Sequence, residues 1–512
     1  MRILRRLSQI AVFILFVFLF LHTEYKDNDI LPYAVNVFLR LDPLVAGTAA
    51  LAGRALISLV WPALILAGMT LILGRFFCGW ACPMGAVLDL TRLAAFKKIK
   101  ARKVPGSWRR YKYFILFFLA ASSLFTLQMV FLFDPISVLI RSFTVAVFPA
   151  VNMALNALFG PLYNLGPVAK VSEPVYGLLK DHFLAFEQPH YRMAALVGLI
   201  FSLILALEFY QRRFWCRNLC PLGALLGLMG RHGLAKRRVS DACISCGKCE
   251  RECRMGAIKD DFLTTDRGEC VECLDCKATC PTKAITFISG EKALGAPFDL
   301  SRRGLITSMA VGAMTAPVFM SEGYRKISNP SLIRPPGALA EEKFLARCTR
   351  CGECMRVCTV NGLQPAFLQA GFSGLFSPVL EPRLGYCEYN CTLCGQVCPT
   401  GAVKRLSADE KKKVKIGLAE FDRSRCIPWK GESDCIVCEE HCPTPEKAIK
   451  LREEKVLLES GEERVLKRPH VDEKLCIGCG ICENKCPLSG YPGIKVTSRG
   501  ESRNEGEGLI NY

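Results

Sequence analysis

The 512-residue chain carries 28 cysteines, 51% hydrophobic residues and a formal charge of +19. Its length excludes a small secreted disulfide scaffold. The placement of its charge, beside apolar stretches, argues against nucleic acid as a partner. Apolar residues gather before Gly230 and most cysteines follow Ala242, so two kinds of structure are joined in one chain.

Four segments have the length and hydropathy of spanning helices, close to the roughly 20 residues that cross hydrocarbon. They run over 6–22, 55–74, 113–133 and 193–210. The first opens M-R-I-L-R-R like a signal peptide, but no small-residue cleavage site follows, which predicts an uncleaved anchor. Positive loops set orientation. Arg2, Arg5 and Arg6 place the N-terminus inside. So do Lys97, Lys98, Lys100, Arg102, Lys103, Arg109, Arg110 and Lys112 for the loop after the second span. Arg212, Arg213, Arg217, Arg231, Lys236, Arg237 and Arg238 do the same after the fourth, and 23–54 and 134–192 are left outside. The apolar stretch 143–162 contains Pro149, Asn152 and Asn156 and reads as a re-entrant or interfacial helix, with a fifth span as the alternative.

The second and fourth spans each end in Arg-Phe-x-Cys-x3-Cys-Pro-x-Gly-Ala, giving Cys78 and Cys82, then Cys216 and Cys220. Two such pairs could converge as four soft ligands for iron or copper; the alternative is a helix-ending turn with buried thiols. Haem is not supported, since membrane haems need histidine ligands within spans. Only six histidines are present, and the second, third and fourth spans contain none.

The other 24 cysteines form six groups of four. They are Cys243, Cys246, Cys249, Cys253; Cys270, Cys273, Cys276, Cys280; and Cys348, Cys351, Cys354, Cys358. Then come Cys387, Cys391, Cys394, Cys398; Cys426, Cys435, Cys438, Cys442; and Cys476, Cys479, Cys482, Cys486. The spacing C-x2-C-x2-C-x3-C-P is that of bacterial 4Fe–4S ferredoxins, whose fourth cysteine ligates the other cluster of a pair. Zinc sites favour separated C-x2-C pairs with histidine, and disulfides would be strained over such gaps. Six 4Fe–4S clusters are therefore expected. Consecutive groups exchange their fourth cysteines; a nested pairing of third with sixth and fourth with fifth uses the same cysteines. Arg254 and Thr359 stand where the proline is expected, and A-I-T-F after Cys280 and A-I-K-L after Cys442 read as short strands.

Between the second and third groups, Arg302 and Arg303 precede an apolar stretch, 304–320. This looks like an internal twin-arginine export signal, followed by a linker, S-N-P-S-L-I-R-P-P-G-A. The expected organisation is a four-span domain over 1–240, a two-cluster ferredoxin over 241–295 and a signal or anchor helix over 296–322. A four-cluster polyferredoxin over 323–500 and a polar tail over 501–512 complete it. The fold class is thus an α-helical membrane domain of four to five spans followed by α+β bacterial-type ferredoxin domains.

On these motifs, residues 1–295 resemble the NapH-type membrane ferredoxins. Residues 298–500, with S-R-R-G-L-I, R-P-P-G-A and four cysteine groups, resemble the NapG/MauM-type exported ferredoxins. The resemblance implies a quinol dehydrogenase of the bacterial inner membrane, in contact with lipid and quinone. Residues 241–295 would be cytoplasmic and 321–512 periplasmic, and electrons would pass to a periplasmic reductase or cytochrome. A copper or metal reductase or maturation protein working through the C-x3-C-P thiols, and a pure electron wire, are the other expectations. No proton acceptor is identifiable; Asp134 and Glu208 are the candidates, with a structural or solvated carboxylate as the favoured reading of each.

Overall fold

A computed structural model describes the chain apart from residues 1, 26–29, 32–33, 95–104, 163–165, 186, 232, 235, 289–300, 321–328, 458–462 and 505–512. The basic cluster from Lys97 to Lys103, the first residue of the linker (Ser328) and most of the polar tail lie outside the described residues.

The first part is helical: α1 (Arg2–His22), α2 (Pro43–Gly53), α3 (Pro62–Leu73), α4 (Pro83–Ala94), α5 (Tyr111–Leu124), α6 (Pro135–Leu162), α7 (Gly166–His182), α8 (Ala194–Tyr210) and α9 (Pro221–Gly230). Among the described residues, α1 and α6 are long and apolar enough to cross a membrane. A third joins them if the bent pair Ser58–Leu73 and Phe76–Arg92, meeting at 96°, is one span. The bend falls at Gly74, whose φ of +74° favours glycine and which lies against the Glu272 carboxylate. The expected span 113–133 is α-helical only through Leu124, and Thr126 turns the chain at φ +64°.

The stretch 143–162 is not a separate re-entrant or interfacial helix but the second half of the 28-residue α6, whose length and hydropathy are compatible with the alternative of a further span. Its two asparagines find partners within the fold, which removes the reason to break it. Asp134 caps the start by accepting the Ser137 N–H at 2.7 Å. A π-turn at Phe143–Val147 precedes Pro149. Asn152 donates to the Phe148 carbonyl and accepts the Ala185 N–H, both at 2.9 Å. Edge-on ring contacts of Phe143 with Phe16, Phe20 and Phe201 fill the space between α1, α6 and α8.

Helix α10 (Arg302–Met320), which the twin arginines open, runs parallel to α5. Gly304 faces the Phe114 ring, and a Cβ on Gly312 would come 2.6 Å from the Phe118 carbonyl oxygen. Glycine at these positions lets the two backbones approach closely.

The cysteine-rich segments are built from short antiparallel pairs. Strand β1 (Lys236–Val239) pairs with β2 (Ile285–Ile288), and β3 (Leu363–Pro365) with β4 (Pro378–Leu380). Strand β5 (Leu418–Phe421) pairs with β8 (Ile494–Thr497), and β6 (Ile449–Leu457) with β7 (Glu463–Val471). The expected A-I-T-F and A-I-K-L strands are β2 and the start of β6.

The two cysteine-rich segments sit at opposite ends of the bundle. Arg2 at the start of α1 pairs with Asp275, whereas Glu24 just beyond its end pairs with Arg356. Lys112 at the start of α5 pairs with Glu269, and the Gln128 carbonyl beyond its end accepts from Arg350 at 2.7 Å. Helix α8 runs the other way: Tyr191 before it donates to the Met355 carbonyl, and Arg212 after it donates to the Glu252 carbonyl.

Candidate iron–sulfur and thiol sites

Five cavities are each lined by four cysteines. One holds Cys243, Cys246, Cys249 and Cys280, and its neighbour Cys270, Cys273, Cys276 and Cys253. Another holds Cys387, Cys391, Cys394 and Cys358. The remaining two hold Cys426, Cys435, Cys438 with Cys486, and Cys476, Cys479, Cys482 with Cys442. Cys348, Cys351, Cys354 and Cys398 gather as a sixth set. Each set takes three cysteines from one group and the fourth from the neighbouring group, so the side chains gather in the consecutive arrangement and not the nested one.

Local backbone explains these loops. In the four groups with unstretched spacing, the residues on either side of the second cysteine are left-handed. They are Ser245 and Gly247, Glu272 and Leu274, Arg350 and Gly352, and Gly478 and Gly480. Two left-handed residues in three curl the chain tightly round a bulky group, at a cost where the residue is not glycine. The fourth cysteines face backbone donors: Ala257 N–H to Cys253 Sγ at 3.2 Å, Val403 to Cys398 at 3.4 Å and Gly493 to Cys486 at 3.4 Å.

Four thiols round one cavity, with no histidine in any lining, suit a cubane. No group of three or more His, Cys, Asp or Glu among the described residues closes on a point as a single ion requires. Burial pushes Cys276, Cys438 and Cys479 up to about 12, so cluster assembly must expel their protons.

Two arginines act where the sequence showed only basic charge or a missing proline. Arg237 lines both cavities of the first pair and donates to Cys249 Sγ at 3.6 Å. Arg254 bonds Asp89 of α4 at 2.6 Å and Asp275 at 2.7 Å, joining bundle and ferredoxin segment. Neither contact has a local sequence signal, because each partner is distant along the chain. Thr359, the other departure, lines the cavity of Cys387, and nothing else in the structure explains it.

The two C-x3-C pairs also come together. Cys78, Cys82, Cys216 and Cys220 are buried in one cluster, each near the other three. Arg213 of the second repeat donates to the Cys78 carbonyl of the first at 2.9 Å, and Arg75 of the first reaches the Cys216 carbonyl of the second at 3.5 Å. Glu208 is buried and accepts the Arg213 N–H at 2.7 Å. Asp134, besides capping α6, meets the equally buried Asp42, which caps α2. Arg302 and Arg303 are exposed at the start of α10.

The fourth and sixth cysteine groups are linked directly: the Cys387 N–H donates to the Cys479 carbonyl at 2.8 Å. Arg383 beside them donates to the carbonyls of Glu483 and Cys486, both at 3.1 Å.

A family model described as a 4Fe-4S binding domain matches residues 55–102, 191–240 and 394–417, and a second model with the same description matches 469–488. The methylamine utilization ferredoxin-type protein MauM of Methylorubrum extorquens is 34% identical over 229 residues, 44% of this chain and 92% of that protein. The ferredoxin-type protein NapG of Escherichia coli is 35% identical over 166 residues, 32% of this chain and 69% of that protein. The putative electron transport protein YccM of E. coli is 26% identical over 255 residues, 48% of this chain and 60% of that protein. No solved structure matches. With cysteines grouped for clusters and relatives of this extent, the chain belongs to the MauM/NapG family of ferredoxin-type iron–sulfur electron-transfer proteins.

Proposed function

We propose that the chain is a quinol dehydrogenase of the bacterial inner membrane, six 4Fe–4S clusters delivering electrons to a periplasmic reductase or cytochrome. The observation that carries this reading is the seat of the third cysteine loop on the bundle. Arg141 of α6 donates to the Arg350 carbonyl at 3.3 Å, and Arg350 donates to the Gln128 carbonyl. Gly352, beside Cys351, faces Arg141 and Thr144 of α6. A quinol oxidised against this face would have a ferredoxin site next to it. Bound clusters supply one-electron steps between a two-electron donor and the partner. The hydrogen bond from Cys387 to Cys479 orders the outer sites as third, fourth, sixth, fifth, with the exposed Ile436 beside the last.

Helix α10 supports the export reading. It starts at the end of the bundle that seats the first two groups, runs beside α5 and brings Phe319 onto Phe372 at 4.7 Å at the other end. Held this way it serves as a retained anchor between inner and outer segments. A second reading, a wire joining the two membrane faces, is favoured by ferredoxin segments at both ends of the bundle.

The test is anaerobic titration of the detergent-solubilised protein with a reduced quinol analogue, followed by EPR. Cluster reduction on a catalytic timescale supports the dehydrogenase. Reduction by dithionite but never by quinol rejects it in favour of the wire.

A further inference from the structure

We infer that Cys78, Cys82, Cys216 and Cys220 together hold an additional iron–sulfur centre, shared between the two repeats and adjoining the second ferredoxin site. The two repeats share one backbone turn into their second cysteine. Cys82 N–H bonds the Phe77 carbonyl and Cys220 N–H bonds the Trp215 carbonyl, both at 2.9 Å. Each is a five-residue turn of the π type, a feature concentrated at functional sites. The Cys82 carbonyl then accepts from Ala86 and that of Cys220 from Ala224, both at 3.1 Å, so each Cys-Pro opens a helix.

The sulfurs are treated as the ferredoxin ligands are. Cys220 Sγ accepts the Gly223 N–H at 3.2 Å, matching the Ala257 N–H to Cys253 Sγ at 3.2 Å, and the Gly85 N–H is directed at Cys82. A centre with four thiolate ligands is anionic, and helix N-termini and guanidinium groups favour anions. Both are present: α4 and α9 begin at these cysteines, and Arg75 and Arg213 are 1% exposed and cross between the repeats.

A single metal ion fits less well. The four thiols do not close on one point, just as the cysteines of the ferredoxin cavities do not. The location also suits a relay. A Cβ on Gly79 would come 2.4 Å from the Val271 carbonyl, and Trp80 Nε1 donates to the Glu272 carbonyl at 3.1 Å. The thiol cluster thus abuts the loop of Cys270 and Cys273. Its centre would take up one electron and pass it on with no bond made or broken.

The experiment counts iron and acid-labile sulfide per chain and records EPR and Mössbauer spectra. It uses the anaerobically purified full chain, Cys82→Ser, Cys220→Ser and, as a reference, Cys438→Ser. Expected is more iron and sulfide in the wild type than six cubanes hold. Cys82→Ser and Cys220→Ser should each lose the same spectral component, different from the one lost in Cys438→Ser. A wild-type count no greater than six cubanes overturns the inference even if the serine variants fail to fold. Stoichiometric zinc or copper at these cysteines, or serine variants with unchanged iron and spectra, overturns it as well. None of these readouts uses quinol, so the inference can fail while the dehydrogenase reading stands, and the reverse.

Discussion

Arg254 stands where the ferredoxin pattern has proline, and its guanidinium bonds Asp89 at 2.6 Å and Asp275 at 2.7 Å. Asp89 also receives Arg213 at 2.6 Å and the Gln9 amide at 2.9 Å, and Arg5 lies 3.8 Å away. Three arginines, two carboxylates and an amide therefore close over the join between bundle and ferredoxin segment. A buried network of this kind contributes little net stability while whole, and losing one member leaves uncompensated charge.

Arg254→Ala should therefore cost about 3–5 kcal/mol, the usual penalty for breaking a buried pair. The loss should appear as faster hydrogen exchange over 250–275 and at Trp80, with the signal of the second cluster retained. Arg254→Pro would restore the ferredoxin pattern yet give the same loosening. If either variant exchanges like the wild type, the network does not hold the join.

Arg237 sets a second expectation. Its guanidinium touches Cys249 Sγ and lines both cavities of the first pair. Positive charge and hydrogen bonds at the sulfurs favour the reduced, more negative cluster. Arg237→Met should lower the potentials of the first pair by on the order of 65–130 mV, the equivalent of one charge-assisted hydrogen bond in a one-electron couple. Potentiometric EPR titration measures this, and unchanged potentials would show the arginine to be structural only.

The bond from Cys387 to Cys479 makes the sixth group the bridge between fourth and fifth. Under reduction by quinol, Cys482→Ala should leave the fifth cluster oxidised while the third and fourth are reduced. Cys438→Ala should leave the sixth reduced. If the fifth is still reduced at wild-type rate in Cys482→Ala, electrons reach it by another route.

These expectations show where the sequence was readable and where it was not. The 24 ferredoxin cysteines and the strands after Cys280 and Cys442 are local patterns: ligands a few residues apart and short alternating runs. The choice between consecutive and nested pairing is non-local, and the cavity shared by Cys442 and Cys476 is what distinguishes them. Helix lengths were misread for a related reason. Hydropathy does not register that Gly74 bends the second apolar segment against Glu272, or that Asn152 finds partners inside the fold. The seating of α10 along α5 depends on Gly304 and Gly312, whose role appears only once the facing helix is in place. Arg237 and Arg254 looked like surface charge and a lapse of pattern because their partners lie 12 to 165 residues away.

The last expectation concerns acid. Glu341 bonds Arg334 and Arg503, both at 2.6 Å, which ties the start of the outer ferredoxin segment to its end. Burial alone would raise the Glu341 carboxyl, but the two guanidinium groups outweigh it and hold it at about 2, below its ordinary 4.5. A carboxylate depressed by folding adds stability above its unfolded value, and that stability is lost as pH falls towards the folded one. The contribution should be complete above about pH 5 and should shrink progressively from pH 4.5 towards 2. Because the side chain is partly exposed, about 1–2 kcal/mol is expected after allowing for solvent screening. Glu341→Gln should then unfold more easily than the wild type at pH 7, with the gap narrowing steadily below pH 4.5. Thermal unfolding of the full chain across that range measures it, and a gap that stays constant with pH would mean that the bridge does not titrate.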